Sequence, residues 1–93
     1  MQVKIRSKAQ KQLEKISNSD PKAAQKIALF IKEILANALN PFALANALKM
    51  QGYENRWRYK IAHYRIIAAY HKDIITIEII EIIEITSREN AYK

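Results

Sequence analysis

The chain has 93 residues, of which 49% are hydrophobic and 27% are charged, proportions typical of a soluble globular protein that argue against a disordered one. Its length suits one domain over residues 1–93. The 16 Lys and Arg against 9 Asp and Glu leave a net charge of +7, which favours nucleic acid or an acidic protein as the partner. The lack of cysteine excludes disulfides and thiolate nucleophiles and suits a reducing cytoplasm. No apolar run reaches the ~18 residues of a membrane span, so we expect no membrane partner.

The first half of the chain predicts one strand and two helices. Hydrophobic and polar residues alternate over residues 2–6, which is typical of a half-buried strand. A helix follows over residues 8–16, with Ser7 as its cap. Asp20 caps a second helix, which begins with a proline, a residue suited to the first helical position, and runs to about residue 39 or 40. The spacing predicts that this second helix buries one stripe, made of Ile27, Ile31, Ile34 and Ala38.

Two further stretches are harder to assign. Residues 42–52 contain two leucines four residues apart, which predicts a short helical segment that ends at Gly52. In residues 74–85, glutamates recur every three residues as in a helix, but eight isoleucines favour a strand because β-branched side chains fit a pleated surface. A strand requires alternation, so we expect a bulge or bend near residues 79–81.

Residues 53–70 predict a β-hairpin whose two faces differ. Both halves alternate, and a tight turn of two or four residues around Ala62–His63 pairs Lys60 with Arg65. One face then carries core residues, namely Trp57, Tyr59, Ile61, Tyr64 and Ile66. The other carries the cations Arg56, Arg58, Lys60 and Arg65, a dense positive surface that folding alone does not require.

These elements predict an α+β fold in the order β-α-α-β-β-β. Two N-terminal helices pack on one face of a mainly antiparallel four-stranded sheet, and the other face stays partly open. The aromatic side of the hairpin faces the helices, so the cationic side faces outward.

The ordered segments resemble the RelE/ParE superfamily of bacterial toxins from type II toxin–antitoxin modules. The matching features run from Leu48–Gly52, through the spaced basic residues and Tyr64–Ile67, to the isoleucine-rich strand and to Arg88 with Tyr92 four residues later. The resemblance implies a RelE-like, microbial ribonuclease-type fold. RelE-like members cut mRNA in the ribosomal A site, whereas ParE-like members inhibit DNA gyrase and lack the ribonuclease residues. This chain fills most ribonuclease positions, so the resemblance implies an endoribonuclease first and a gyrase inhibitor as the alternative.

Metal-free cleavage of RNA by attack of a ribose 2′-OH needs a proton acceptor, positive charge at the phosphorane and a group that protonates the departing 5′-oxygen. The resemblance implies catalytic roles for Arg56 and Arg58, and transition-state stabilisation for Arg65, whose guanidinium binds phosphate bidentately. It also implies that Arg88 neutralises the phosphate or assists the leaving group, and that Tyr92 stacks on a base. The alternatives are a cationic face that only binds RNA or is solvated, and a tail that packs loosely.

The proton acceptor is the open question. Arginine does not lose its proton, whereas histidine is a common proton acceptor, so His63 on the same face as Arg65 is a candidate, although a histidine beside a turn is more often a surface residue. Lys60 is expected to bind RNA only. The extra arginine that some ribonuclease members carry is replaced here by Thr86. With two histidines and no cysteine, no convincing metal site can be assembled, and no cofactor is expected.

The resemblance also implies partners. A cognate antitoxin would cover the basic surface with acidic or amphipathic groups. If the chain is a ribonuclease, its partners also include mRNA on the 70S ribosome and ribosomal RNA, and the result is inhibition of translation and growth arrest. A third hypothesis is a non-toxic module that binds RNA or the antitoxin.

Overall fold

The computed structural model describes residues 2–72 and 78–87, which form a five-stranded mixed sheet with helices on one side. The sheet order is β1-β5-β4-β3-β2, with β1 parallel to β5 and the other pairs antiparallel. The α+β class and the mainly antiparallel sheet are therefore confirmed. The elements are β1 (Gln2–Ile5), α1 (Ser7–Ser19), α2 (Pro21–Leu29), a π-helical turn (Phe30–Leu35), a 3₁₀ turn (Pro41–Ala43), β2 (Ala47–Lys49), β3 (Arg56–Ile61), β4 (Tyr64–Lys72) and β5 (Glu78–Ser87).

The described sheet has one strand more than the four that the sequence predicted. The additional strand, β2, lies inside residues 42–52, where a helical segment was expected. The only helical residues in this stretch belong to the 3₁₀ turn at Pro41–Ala43, so the expectation of a helical segment is wrong for the rest. Ala47–Lys49 pairs with β3 instead, because long-range strand pairing outweighs a weak local helix preference. Gly52 does not end a helix. It has φ 84 in the loop between β2 and β3, a conformation that glycine adopts without strain.

The start of α2 is as predicted, but its continuation is not. The Asp20 side chain accepts a hydrogen bond from the Ala23 N–H at 3.2 Å, and Pro21 occupies the first helical position. After Leu29 the chain forms a π-helical turn, whose wider winding shifts the buried stripe by one residue. Ile34 was expected in the core but is 48% exposed, and Leu35 is fully buried in its place.

The cap predicted for α1 is also wrong. Arg6 occupies the N-cap position and makes no side-chain cap hydrogen bond, while Ser7 is the first helical residue. The helix then continues through Ser19, beyond the predicted end at residue 16.

The main core lies between the helices and one face of the sheet. Tyr59 is fully buried there, with its ring centroid 5.3 Å from that of Phe30 and its hydroxyl donating to the Pro41 carbonyl at 2.8 Å. Phe42 stacks on Trp57 at 4.1 Å between ring centroids. The aromatic side of the hairpin therefore faces the core, as predicted. The other face of the sheet, with the side chains of Arg56, Arg58, Lys60 and Arg65, is called the cationic face below.

The β3–β4 hairpin has the predicted register. A two-residue turn at Ala62–His63 pairs Lys60 with Arg65. Asparagines hold both ends of β3. The Asn46 side-chain amide donates to the Lys60 carbonyl at 3.1 Å, and the Asn55 amide donates to the Tyr70 carbonyl at 3.1 Å. The spacing of the cations along the hairpin is therefore fixed by backbone pairing and by these two clamps.

The hairpin turn contains a strained residue, which leads to a stability prediction. Ala62 has φ 53, in the left-handed region that disfavours residues with a Cβ by ~1–2 kcal/mol. Ala62→Gly is expected to raise the free energy of unfolding by ~0.5–1 kcal/mol, less than the full strain because glycine also gains entropy in the unfolded chain. Urea denaturation measures this change. Ala45→Gly, at an exposed position with no positive φ, is the control and should not stabilise; an equal gain there would contradict the strain argument.

A bulge in β5 reconciles its sequence with a sheet, though not where it was expected. The register with β4 is regular at residues 79–81, where the bulge was predicted. The shift instead falls between Ile82 and Glu84, which leaves Ile83 as the extra residue.

The bulge sets which side chains of β5 reach the core. Ile82 and Ile85 are both buried in the core. Glu84 pairs with Ile67 and therefore shares the cationic face, and its carboxylate lies 3.2 Å from the Lys8 ammonium. Beyond the end of β1, the Gln12 side chain accepts a hydrogen bond from the Ile85 N–H at 2.8 Å. Helix α1 therefore covers this part of the strand edge.

Candidate nucleic-acid interface

The cationic face carries a groove of about 410 Å³ beside the β2 edge of the sheet. Residues in and just before β2 form one wall, and basic side chains of β3 and β4 form the other. We call this concavity the cationic groove; its lining residues are Ala45, Asn46, Ala47, Leu48, Arg58, Lys60 and Arg65.

Strand alternation and hairpin register bring the three cations together. Arg58 and Lys60 are two residues apart on β3 and therefore share a face, and Arg65 lies directly opposite Lys60 on β4. Like charges on opposed strand positions destabilise a sheet. The described residues that line the groove include no acidic side chain. The groove thus concentrates positive side chains on one face of the hairpin.

Arg65 is the charged residue that the described part of the chain buries, with 5% of its surface exposed. It lies on a central strand, and its Nη1 donates to the Tyr64 carbonyl at 3.2 Å. A buried guanidinium is costly unless it is hydrogen-bonded, and the bond to Tyr64 meets part of that requirement. Arg65 forms the floor of the groove, whereas Arg58 is half-buried and Lys60 is exposed.

The wall formed around β2 was missed by the sequence prediction because residues 42–52 were assigned to a helix. Leu48 is 57% exposed and pairs with Arg58, so it lies at the groove beside the cations. Asn46 lines the groove and also clamps the Lys60 backbone, both by its amide and by its own carbonyl, which accepts from the Lys60 N–H at 3.1 Å. The only sequence signal for this wall was the short leucine–lysine–glycine pattern before β3.

Other predicted site residues lie away from the groove or outside the described residues. Arg56 shares the cationic face, but its guanidinium carbon is 4.3 Å from the Tyr53 ring centroid and it does not line the groove. His63 is exposed in the hairpin turn and does not line the groove either. Arg88 and Tyr92 lie outside the described residues.

Tyr59 lies between Arg58 and Lys60 in the sequence but has no part in the groove, because it faces the helices. Burial raises the pKa of Tyr59 to about 12. Its hydroxyl therefore stays protonated at neutral pH and serves the fold through its hydrogen bond to Pro41.

The groove has the chemistry of a phosphate site. Guanidinium groups bind two phosphate oxygens at once, and an ammonium group adds a point charge. The arginines cannot accept a proton, so acid–base chemistry would need a further group. Within residues 2–72 and 78–87, no cluster of three His, Cys, Asp or Glu side chains could hold a metal ion, and no helix is long and apolar enough to cross a membrane.

Solved toxin structures share this fold. A YoeB/ParE toxin from Agrobacterium tumefaciens is 17% identical, with a TM-score of 0.71 and coverage of 94% of this chain and 98% of that chain. An archaeal RelE–RelB complex from Pyrococcus horikoshii OT3 is 21% identical, with a TM-score of 0.68 over 94% of this chain and 93% of that chain. The RelBE2 toxin–antitoxin complex from Mycobacterium tuberculosis is 17% identical, with a TM-score of 0.65 over 94% and 96%, respectively.

At these identities the structures establish the fold alone, and no curated protein sequence matches the chain. A family model described as the ParE toxin of the type II toxin–antitoxin system parDE matches residues 3–92. This match spans nearly the whole sequence and agrees with the fold of the structural neighbours. The chain therefore belongs to the ParE toxin family of type II toxin–antitoxin systems, within the RelE/ParE superfamily.

Proposed function

We propose that this toxin is a ribosome-dependent endoribonuclease that cleaves mRNA in the A site. The observation that carries the proposal is the convergence of Arg58, Lys60 and Arg65 on one groove. A phosphorane transition state gains negative charge, and preorganised cations aimed at that charge are the largest single source of catalysis in such reactions.

In the proposed mechanism, the ribose 2′-oxygen attacks the adjacent phosphorus while the bond to the 5′-oxygen breaks, leaving a 2′,3′-cyclic phosphate. Arg65, held at the groove floor, and Arg58 on the neighbouring strand stabilise the equatorial phosphate oxygens. Lys60 is exposed and binds a neighbouring phosphate of the strand.

The proton transfers need groups outside the groove. His63 is two residues before Arg65 and exposed, and we assign it the proton-acceptor role because the arginines cannot fill it. Arg88 is assigned to charge neutralisation at the departing 5′-oxygen, which takes its proton from solvent water, and Tyr92 is assigned to base stacking. Both assignments rest on the resemblance in sequence.

A cognate antitoxin is the proposed protein partner. Two of the similar structures are complexes of a toxin with its antitoxin, and this chain belongs to a family of such toxins. Acidic groups of an antitoxin would complement the groove cations and exclude RNA.

The test is primer extension on a reporter mRNA incubated with the purified chain, with and without programmed ribosomes. Cuts in register with codons that require ribosomes are the expected result. The proposal would be overturned if mRNA stayed intact on programmed ribosomes while expression of the same chain in cells arrested their growth.

Gyrase inhibition is the second candidate. It is favoured by the family model, which is named for ParE, and by the lack of a proton acceptor among the described groove residues. This function predicts growth arrest with a DNA-damage response, intact mRNA and loss of gyrase supercoiling activity. The cationic groove would then be a docking surface.

A charge introduced at Leu48 tests whether the groove works through its positive potential. Leu48→Glu places a carboxylate beside Arg58, and opposite charges a few ångströms apart attract by ~4 kcal/mol near a protein surface. We expect at least ~10-fold weaker mRNA cleavage, measured by primer extension at low salt. Leu48→Gln, with the same shape and no charge, should stay within ~3-fold of the unchanged chain. Equal losses in both variants would show that packing, and not charge, is responsible.

A further inference from the structure

A second concave region lies in the loop between β2 and β3. It measures about 340 Å³ and is lined by Lys49, Met50, Gln51, Gly52 and Tyr53. Gly52 contributes no side chain, and a Cβ built on it would have no atom within 4 Å. The loop therefore leaves the space beside the Tyr53 ring open.

Tyr53 is an exposed aromatic residue with a defined partner. Its surface is 46% exposed, and the Arg56 guanidinium carbon lies 4.3 Å from its ring centroid. This is a cation–π contact, which positions both side chains at the surface. The core does not require this aromatic ring, since Tyr53 is outside the residues that pack there.

Arg56 connects this loop to the cationic groove. It lies two residues before Arg58 on the same face of β3, a step of ~6.8 Å along a strand. Lys60, Arg58 and Arg56 therefore form one row, of which the first two line the groove and the third contacts Tyr53. A nucleic-acid strand whose phosphates follow this row would bring a base to the Tyr53 ring.

We propose that Tyr53 and Arg56 form a stacking platform for the base of a nucleotide next to the scissile phosphate in single-stranded RNA. Aromatic rings and guanidinium planes both stack on nucleobases, and removal of one such aromatic weakens binding by about 5- to 150-fold. The platform positions the strand beside the groove, and it accepts any base because every nucleobase has a face that can stack. This inference rests on the proposed ribonuclease function and adds a contact that none of its catalytic steps uses.

The test combines a protein variant with a nucleotide change. Synthetic mRNAs carrying an abasic nucleotide at single positions around the cut are presented on programmed ribosomes to the unchanged chain, to Tyr53→Ala and to Tyr53→Phe. The cleavage rate at subsaturating protein is measured, and thermal unfolding confirms that each variant is folded. Binding of a short fluorescein-labelled single-stranded RNA is followed by anisotropy in parallel.

At one position, the abasic change is expected to slow the unchanged chain and Tyr53→Phe by at least ~5-fold. Tyr53→Ala should be slower on intact mRNA and insensitive to the same change, because the contact is already absent. If the unchanged chain and Tyr53→Ala respond equally to every abasic position, the platform is disproved while ribonuclease activity stands. If the unchanged chain neither cuts mRNA nor binds the RNA, the proposed function fails and the platform fails with it.

Discussion

Replacing Arg58 with alanine is expected to lower the rate of mRNA cleavage by about 100- to 1,000-fold, the usual loss when one preorganised donor to a developing oxyanion is removed. Arg58 is the suitable arginine for this test because it is half-buried at the groove wall. Arg65 is 5% exposed at the floor, so its removal would also disturb the fold. The measurement is the single-turnover cleavage rate of a reporter mRNA on programmed ribosomes.

Two control variants separate charge, geometry and folding. Arg58→Lys keeps the charge but loses bidentate phosphate binding, so an intermediate loss is expected. Lys22→Ala removes one positive charge from an exposed position on α2 and should change the rate less than ~3-fold. Far-UV circular dichroism establishes that each variant is folded. If Arg58→Ala cleaved mRNA as fast as Lys22→Ala does, Arg58 would have no part in the mechanism.

The free energy of unfolding is expected to fall by ~2 kcal/mol between pH 10 and pH 12 through Tyr59 alone. Burial raises the pKa of Tyr59 from 10.0 to about 12. Well below pH 10 the phenol is protonated in both states, so its contribution is fully present. Above pH 10 the unfolded chain loses the proton first, so stability declines until the folded state also titrates near pH 12. Urea denaturation across this pH range measures the decline.

Tyr59→Phe isolates that contribution. At neutral pH it should cost ~1–2 kcal/mol, because the buried Pro41 carbonyl loses the hydrogen bond that it accepts at 2.8 Å. Between pH 10 and pH 12 its stability should decline less than that of the unchanged chain, since the other titrating groups are common to both. Tyr53→Phe, at a 46% exposed position, should follow the unchanged chain. Parallel curves for Tyr59→Phe and the unchanged chain would contradict the assignment.

The hairpin was predictable because neighbouring residues in the sequence determine both its faces and its register. Alternation assigned the two faces of residues 56–61, and the turn at Ala62–His63 determined that Lys60 pairs with Arg65. The clustering of three cations follows directly from that register. By contrast, β2 has three residues, too few for a clear alternation, and it forms only because β3 is available as a partner.

Other departures arise from tertiary structure. The π-helical turn places Leu35 in the core instead of Ile34. The sequence gives no signal for this turn, because both positions hold aliphatic residues. Eight nearly interchangeable isoleucines cannot locate the extra residue of β5 at Ile83. Arg56 is separated from the groove because its guanidinium lies against the ring of Tyr53, a side-chain contact that strand alternation does not predict.

The parallel pairing of β1 with β5 has a consequence for how the toxin is made. Gln2 pairs with Ile79, 77 positions later in the chain, and such non-local contacts form late because a long loop must close first. During synthesis β1 therefore has no β5 to pair with until residues 79–82 have been translated. The complete sheet can form only after those residues have left the ribosome, so the two strands of this pair are joined long after the first of them is made.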